Sequence, residues 1–98
     1  MRYKNYTVLN FEYDPVKSER NKKKHGIDFE EAKELWSDPE GVGFPAHSDD
    51  EIRYAILAQY RQVLWMGIYT MRSGKIRIIS VRRARKGERK LYEGKGSG

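Results

Sequence analysis

Cysteine is absent from the sequence, which rules out a disulfide framework and thiolate metal sites. No apolar run approaches the roughly 20 residues that a membrane-spanning helix needs. The N-terminal stretch Met1–Asn10 alternates polar and apolar side chains and lacks the apolar core of an export signal. Glycine-rich phosphate loops, nucleophile elbows and zinc-ligand spacings are also missing. We therefore expect a cytoplasmic protein that uses no cofactor and no metal.

What the chain does contain is enough apolar and aromatic sequence for one small core. Of its 98 residues, 38% are hydrophobic and 12% are aromatic, which argues against a disordered chain. This length corresponds to one domain. We expect a single folded domain over residues 1–93, followed by a flexible tail or a vector-derived scar over residues 94–98.

Charge is unevenly distributed along the chain, whose net charge is +6. Between Arg72 and Lys95 there are ten Lys or Arg residues and two acids, whereas Asp28 to Glu51 holds nine acids and one base. Separated charges of this kind can form one cationic face, and a polyanion is the usual target. The alternative is that the basic side chains only solvate a small domain.

Local patterns predict an α+β fold with helices on one face of a mostly antiparallel sheet. Asp14-Pro15 predicts the start of a helix, and Gly26 its left-handed end. Asp28 and Glu31 form a capping-box pattern at the start of a second helix. The apolar stripe of this second helix repeats at helical spacing: Phe29, Ala32, Leu35 and Trp36.

Strands are predicted from alternating and continuous apolar segments. The first covers residues 9–13, with a possible extension back through Tyr3. In the second half we expect strands at 52–60, 63–70 and 75–81, a strand or loop at 41–48, and a helix at 85–92. The short link Arg61-Gln62 predicts a hairpin. One face of the strand at 52–60 is predicted to carry Ile52, Tyr54, Ile56, Ala58 and Tyr60.

The dipeptide Lys24-His25, at the end of the basic helix, is the first candidate for chemistry. Histidine titrates near neutral pH and can move protons, while a neighbouring lysine holds phosphate. A helix C-terminus also attracts cations, so the alternative is that His25 only caps the helix.

Arginines at the end of the last strand form the second candidate, with Arg82 and Arg83 at its centre. The planar guanidinium suits bidentate binding of phosphate. Further contacts to RNA are expected from basic side chains on either side: Arg77, Arg85, Lys86 and Arg89. Strict strand alternation predicts that Arg77 and Arg83 share one face and that Arg82 lies on the other.

The acidic stretch that ends at Glu51 is the third candidate. His47 precedes it, but no second histidine follows at the spacing of metal ligands, so a solvated turn is the simpler interpretation. Glu51 and Arg53 are separated by one residue, so on a strand their side chains can lie on the same face, as expected for a general base and a phosphate-binding group. Exposed aromatic side chains nearby can stack bases, although they are more often part of a sheet face: Tyr54, Tyr60, Trp65 and Tyr69.

These residue types are suited to metal-independent cleavage of RNA, in which a ribose 2′-OH attacks the adjacent phosphate. A general base such as His25 or a carboxylate removes the proton, and cationic side chains stabilise the charge that develops. Two alternatives remain from the residues alone. The chain can be a non-catalytic nucleic-acid-binding module, or an interaction protein whose basic face pairs with an acidic partner.

The order of motifs resembles the BrnT family of toxins, over nearly the whole chain from Phe11 to Glu93. The matching blocks are Phe11-Glu12-Tyr13-Asp14-Pro15, Lys17, Asn21, Lys24-His25-Gly26, Phe29-Glu30-Glu31-Ala32, Asp38-Pro39, Glu51, Arg53, Arg77 to Ala84, Glu88-Arg89 and Tyr92-Glu93. Tyr13 stands where the family usually has tryptophan, and Val81 where it usually has alanine; both departures are mild.

The resemblance implies a RelE/ParE-like fold and a ribonuclease toxin that stops translation and growth. It also implies a BrnA-like antitoxin with a ribbon-helix-helix DNA-binding domain, so that operator DNA is reached only through the complex and no membrane is involved. The catalytic positions carried over by the resemblance are Lys24, His25, Glu51, Arg53, Arg82 and Arg83.

Overall fold

A computed structural model describes residues 9–94 of the chain. Its sheet has five strands in the order β1-β5-β4-β3-β2. The strands are β1 (Phe11–Glu12), β2 (Val42–Ala46), β3 (Arg53–Tyr60), β4 (Val63–Arg72) and β5 (Lys75–Arg83). The helices are α1 (Pro15–His25), α2 (Phe29–Ala32) and α3 (Lys86–Gly94), with a 3-10 helix at Lys33–Ser37. Only β1 and β5 pair in parallel, so the predicted α+β class with a mostly antiparallel sheet is confirmed.

Strand boundaries differ slightly from those predicted. The proposed extension of the first strand through Tyr3 lies outside the described residues. The strand predicted from Ile52 begins one residue later, and the side chain of Ile52 is 72% exposed rather than on the core face. The link Arg61-Gln62 does form a two-residue hairpin turn, with φ of 52° and 66° at these residues. None of the helices in the described part of the chain has the length and apolar character needed to traverse a bilayer.

Helix α1 begins and ends as its sequence predicts. The Asp14 carboxylate accepts the backbone N–H of Val16 at 2.9 Å, and Pro15 occupies the first helical position. Gly26 ends the helix in the left-handed region, at φ 87°, and its N–H donates to the carbonyl of Lys22. Both ends of α1 are therefore fixed by local chemistry.

The second helix is shorter than predicted. The capping box of Asp28 and Glu31 is present, but α2 stops at Ala32 and continues as the 3-10 helix. Phe29, Ala32 and Leu35 are buried all the same. They are spaced by three residues, and a 3-10 helix has three residues per turn, so the tighter winding keeps the apolar stripe facing the sheet.

The sheet buries apolar side chains on both faces. On the face covered by α1 and α2 the core includes Phe29, Leu35 and Trp65. The other face has its own cluster of buried side chains, which is Ala55, Leu57, Leu64 and Met66. Tyr92 of α3 packs against this second cluster. The prediction that the helices share one face is therefore wrong for α3, because a central strand that is apolar on both sides needs cover on both sides.

Candidate functional site

A β-bulge in β5 decides which face each of its arginines occupies. β4 and β5 change register at Ile68/Tyr69, where β5 has one extra residue. The extra residue reverses the alternation, so Arg77 lies on the same face as Arg82, which is the face under α3. Arg83 lies on the opposite face. The prediction that Arg77 and Arg83 share a face is therefore wrong, since it assumed an unbroken strand.

The end of α1 is held against the end of β5 by one buried side chain, Asn21. Its amide group donates to the carbonyl of Val81 at 2.8 Å and accepts the N–H of Val81 at 3.2 Å. Lys24 and His25 follow within one helical turn, and Arg82 and Arg83 follow Val81 directly. The structure thus brings the ends of these two elements together at one corner of the sheet.

Three of the predicted catalytic side chains at this corner have no hydrogen bond or ion pair with the side chains of residues 9–94. No hydrogen bond or ion pair from residues 9–94 engages the side chains of Lys24 and His25, so His25 does not cap the helix through its ring. The guanidinium of Arg83 lies 5.6 Å from the ring centroid of Trp65 and pairs with no carboxylate among the same residues. Trp65 is itself 95% buried, which confirms its predicted place in a sheet face rather than on an open stacking surface. Lys24, His25 and Arg83 are therefore available to bind an anion.

Arg82, by contrast, is fully engaged within the protein. Its two guanidinium nitrogens donate to both oxygens of Glu88 at 2.9 and 2.8 Å. Glu88 also accepts the backbone N–H of Arg85 at 2.8 Å, close to the start of α3. The hydrogen bonds from Arg82 lower the pKa of Glu88 to about 2 and in return raise the pKa of Arg82. The pair joins β5 to α3.

The Glu51 and Arg53 side chains lie at the opposite end of the sheet. Arg53 begins β3, and β3 runs in the same direction as β5, so it is level with the start of β5 rather than with its end. Four residues and two strand spacings separate the backbones of Arg53 and Arg82, which is about 16 Å. Glu51 pairs with Arg53 at 3.3 Å and with Arg72 at 3.7 Å.

The same end of the sheet contains a third ion pair, between Arg77 of β5 and Glu12 of β1 at 3.1 Å. The Nε atom of Arg53 is buried and has no hydrogen-bond partner among the described residues. The six predicted catalytic residues therefore form two groups. Four are near the joined ends of α1 and β5, and Glu51 and Arg53 are at the far end.

The remaining predicted positions are on the surface. Arg85, Lys86 and Arg89 are exposed at or near the start of α3, and Arg89 approaches Glu93 at 3.6 Å. His47 pairs with Asp49 at 3.3 Å, but both side chains are at least 90% exposed, as expected for a solvated turn. Within residues 9–94 there is no group of three His, Asp or Glu side chains placed to hold a metal ion.

Sequence reasoning gave no role to three residues that organise these groups. Asn21 was only one position in a list of matching blocks, although asparagine in the middle of a helix is unfavourable and so indicates a tertiary role. Glu88 carried no sign that it pairs with Arg82. Asp38, named only as part of a matching block, accepts hydrogen bonds from the hydroxyl of Tyr92 at 2.7 Å and from the N–H of Gln59 at 2.8 Å, which joins α3 to the end of β3.

Fold and site together define a small basic α+β domain with unpaired cationic side chains at one corner, as expected of a protein that handles a phosphodiester. A family model described as the ribonuclease toxin BrnT of type II toxin–antitoxin systems matches residues 13–88. The chain belongs to this family, which confirms the resemblance seen in its motifs. Family membership implies an RNA substrate and an antitoxin partner. A comparison with curated proteins gives no match.

Proposed function

We propose that the chain is a metal-independent endoribonuclease that stops translation and growth by cleaving RNA. The observation that supports this most directly is the corner at which α1 and β5 end, where the side chains of Lys24, His25 and Arg83 have no hydrogen bond or ion pair within the described chain. Side chains that are already paired must lose that partner before they can bind phosphate, whereas these three need not. The five-stranded sheet with two N-terminal helices on one face also supports a RelE/ParE-like arrangement.

In the proposed reaction the imidazole of His25 removes the proton from a ribose 2′-OH. The 2′ oxygen then forms a bond to the adjacent phosphorus, and the bond from phosphorus to the 5′ oxygen breaks. The imidazolium returns its proton to the leaving 5′ oxygen. Lys24 and Arg83 stabilise the additional negative charge on the phosphate oxygens in the transition state.

The other predicted catalytic residues have supporting roles in this proposal. Arg82 is bound to Glu88, which neutralises its charge, so we assign it the role of attaching α3 beside the corner. Glu51 is the alternative base, but two arginines already occupy its carboxylate, so we place it with Arg53 in the binding of the RNA chain. The exposed basic residues at the start of α3 extend the cationic surface: Arg85, Lys86 and Arg89. Arg77 can contact RNA only if its ion pair with Glu12 opens.

We further propose that a BrnA-like antitoxin with a ribbon-helix-helix domain neutralises the toxin and carries it to operator DNA. Several apolar side chains that are at least half exposed support the idea that a partner covers part of the surface. They are Val16, Ile52, Met71 and Leu91. If so, the complex melts at a higher temperature than the toxin alone. Equal melting temperatures would contradict this part of the proposal.

The test is to incubate the wild-type protein with RNA in EDTA and to follow the products. His25→Ala should abolish cleavage, whereas His47→Ala, which changes the only other histidine, should leave it intact. Arg53→Ala should weaken RNA binding more than it slows the bound reaction. Binding without cleavage in the wild type would favour a non-catalytic binding module. Cleavage that EDTA stops would refute metal independence, and full activity of His25→Ala would move the base to Glu51.

A further inference from the structure

In the part of the chain that the structure describes, one edge of β5 has no neighbouring strand near its end at Arg83. β1 pairs with β5 only at Ile76 and Arg77, so no described strand continues along this edge toward Arg83. In an antiparallel ladder, each residue of a non-hydrogen-bonded pair directs both its N–H and its C=O away from the partner strand. Val81 is such a residue: it is opposite Gly67 of β4, and both its backbone groups bond to the side chain of Asn21 instead.

The carboxamide of Asn21 therefore takes the place of a missing strand. A carboxamide presents a donor and an acceptor side by side, as a peptide group does, so one side chain satisfies both groups of Val81. Asn21 is 92% buried, and water competes little for these hydrogen bonds. If Asn21 were removed, the buried N–H and C=O of Val81 would be left without hydrogen-bond partners, and this costs more free energy than leaving exposed groups unpaired.

The second amide hydrogen of Asn21 has a different target. Nδ2 also donates to the carbonyl of Ile27 at 2.9 Å. Ile27 follows the left-handed Gly26, so this side-chain hydrogen bond spans the end of α1, in addition to the backbone bond from Gly26 to Lys22. The last turn of α1 carries Lys24 and His25.

We infer that Asn21 is the positioning residue of the active site, and this inference rests on the proposed function. It has contacts on both sides of the corner, with the turn that carries Lys24 and His25 and with the residue that precedes Arg82 and Arg83. Asn21 touches no reacting atom in this scheme. It fixes the distance between the base and the phosphate-binding arginine, and small errors in such a distance are costly to the bound reaction.

Ser18 provides a matched control one turn earlier in the same helix. Its hydroxyl is also buried, and it accepts the backbone N–H of Phe29 at 2.8 Å. Ser18→Ala thus removes a buried side chain-to-backbone hydrogen bond of α1 that leads to α2 rather than to β5. Asn21→Asp is the second variant, because it keeps the volume and the acceptor for Val81 but loses both donors.

The experiment measures kcat and KM for a fluorescent RNA oligonucleotide at a temperature where melting curves show each variant to be folded. Asn21→Ala and Asn21→Asp should lower kcat by roughly 10- to 100-fold and change KM by less than about threefold, as for a misplaced catalytic group. Ser18→Ala should keep the wild-type kcat. Amide hydrogen exchange gives a second readout: the Val81 amide should lose protection in Asn21→Ala and keep it in Ser18→Ala.

Several results would overturn the inference. Wild-type kcat in both Asn21 variants would do so, as would an equal loss of kcat in Ser18→Ala. If neither Asn21 variant folds, the residue serves the fold as a whole and is not a positioning residue. His25→Ala, measured in parallel, separates the two proposals. Activity retained by His25→Ala refutes the proposed role of His25 as the base, whereas activity lost in His25→Ala but kept in the Asn21 variants refutes only the role of Asn21.

Discussion

The ion pair between Arg82 and Glu88 should be a main attachment of α3 to the sheet. Its two hydrogen bonds are short and parallel, and the two side chains are only 28% and 20% exposed. Replacing Glu88 by glutamine keeps the shape but removes the charge and directs an amide group at the guanidinium. Arg82 would then lie partly buried without an anion, which is the costly outcome when one partner of such a pair is removed.

The size of the effect follows from the pKa of Glu88. A fall from 4.5 to about 2 corresponds to roughly 3 kcal/mol at neutral pH, since each pH unit is about 1.4 kcal/mol. Residual exposure to water screens the pair, so we expect Glu88→Gln to lose about 2 kcal/mol. For a domain of this length that is a fall in Tm of roughly 10 °C. Because the pKa is depressed in the folded state, this stability is fully present above pH 4.5 and is lost as the pH falls toward about 2.

Urea denaturation of the wild type and Glu88→Gln between pH 3 and pH 7 tests this reasoning. The difference in unfolding free energy should be largest at pH 7 and should shrink below about pH 4.5. Glu93→Gln is the matched control on the same helix, because the side chain of Glu93 is 61% exposed and its contact with Arg89 is longer. It should change stability by less than about 0.5 kcal/mol. A difference between wild type and Glu88→Gln that is absent, or the same at every pH, would refute the argument.

Three further predictions concern single groups. Tyr92→Phe removes the hydroxyl that donates to Asp38 and should cost about 1 kcal/mol in urea denaturation. Burial is the main cause that raises the pKa of Tyr92 to about 12, and the hydrogen bond to Asp38 adds to it. The wild type, unlike Tyr92→Phe, should therefore lose stability as the pH rises from 10 toward 12. Gly26→Ala places a side chain at φ 87° and should lower the unfolding free energy by roughly 1 kcal/mol without altering the hairpins. Arg83→Ala should reduce the slope of log Kd against log salt for RNA by about one, and an unchanged slope would remove Arg83 from the interface.

Local structure was predictable wherever short-range chemistry decides it. The start of α1 at Asp14, its end at Gly26 and the capping box of Asp28 and Glu31 each depend on residues within one turn. The hairpin at Arg61-Gln62 belongs to the same class, because two-residue links allow few conformations. Helix caps and tight turns depend on a few neighbouring residues, so they can be predicted without knowing how the helices and strands pack.

Features that depend on packing were predictable only in part. The position of α3 follows from the second apolar face of β3 and β4, and this face is visible in the continuous apolar run of residues 63–70. The bulge in β5 left no such sign, because Ile76, Ile78, Ile79 and Val81 are all apolar and fit either register. A one-residue shift in that run reverses every later side chain, and this is why Arg77 was placed on the wrong face.

The division of the six candidate residues into two groups follows from the direction of the strands rather than from any motif. Two consecutive hairpins make β3 and β5 run the same way, so a residue at the start of β3 must be far from one at the end of β5. Glu51 and Arg53 therefore cannot share a phosphate with His25 while the sheet keeps this pairing. An RNA chain long enough to reach both groups would be held at one and cleaved at the other. The side chains of Lys24 and His25 at the α1–β5 corner have no ion pair among the described residues, whereas Glu51 and Arg53 at the far end are paired, and for this reason we propose that cleavage takes place at the corner.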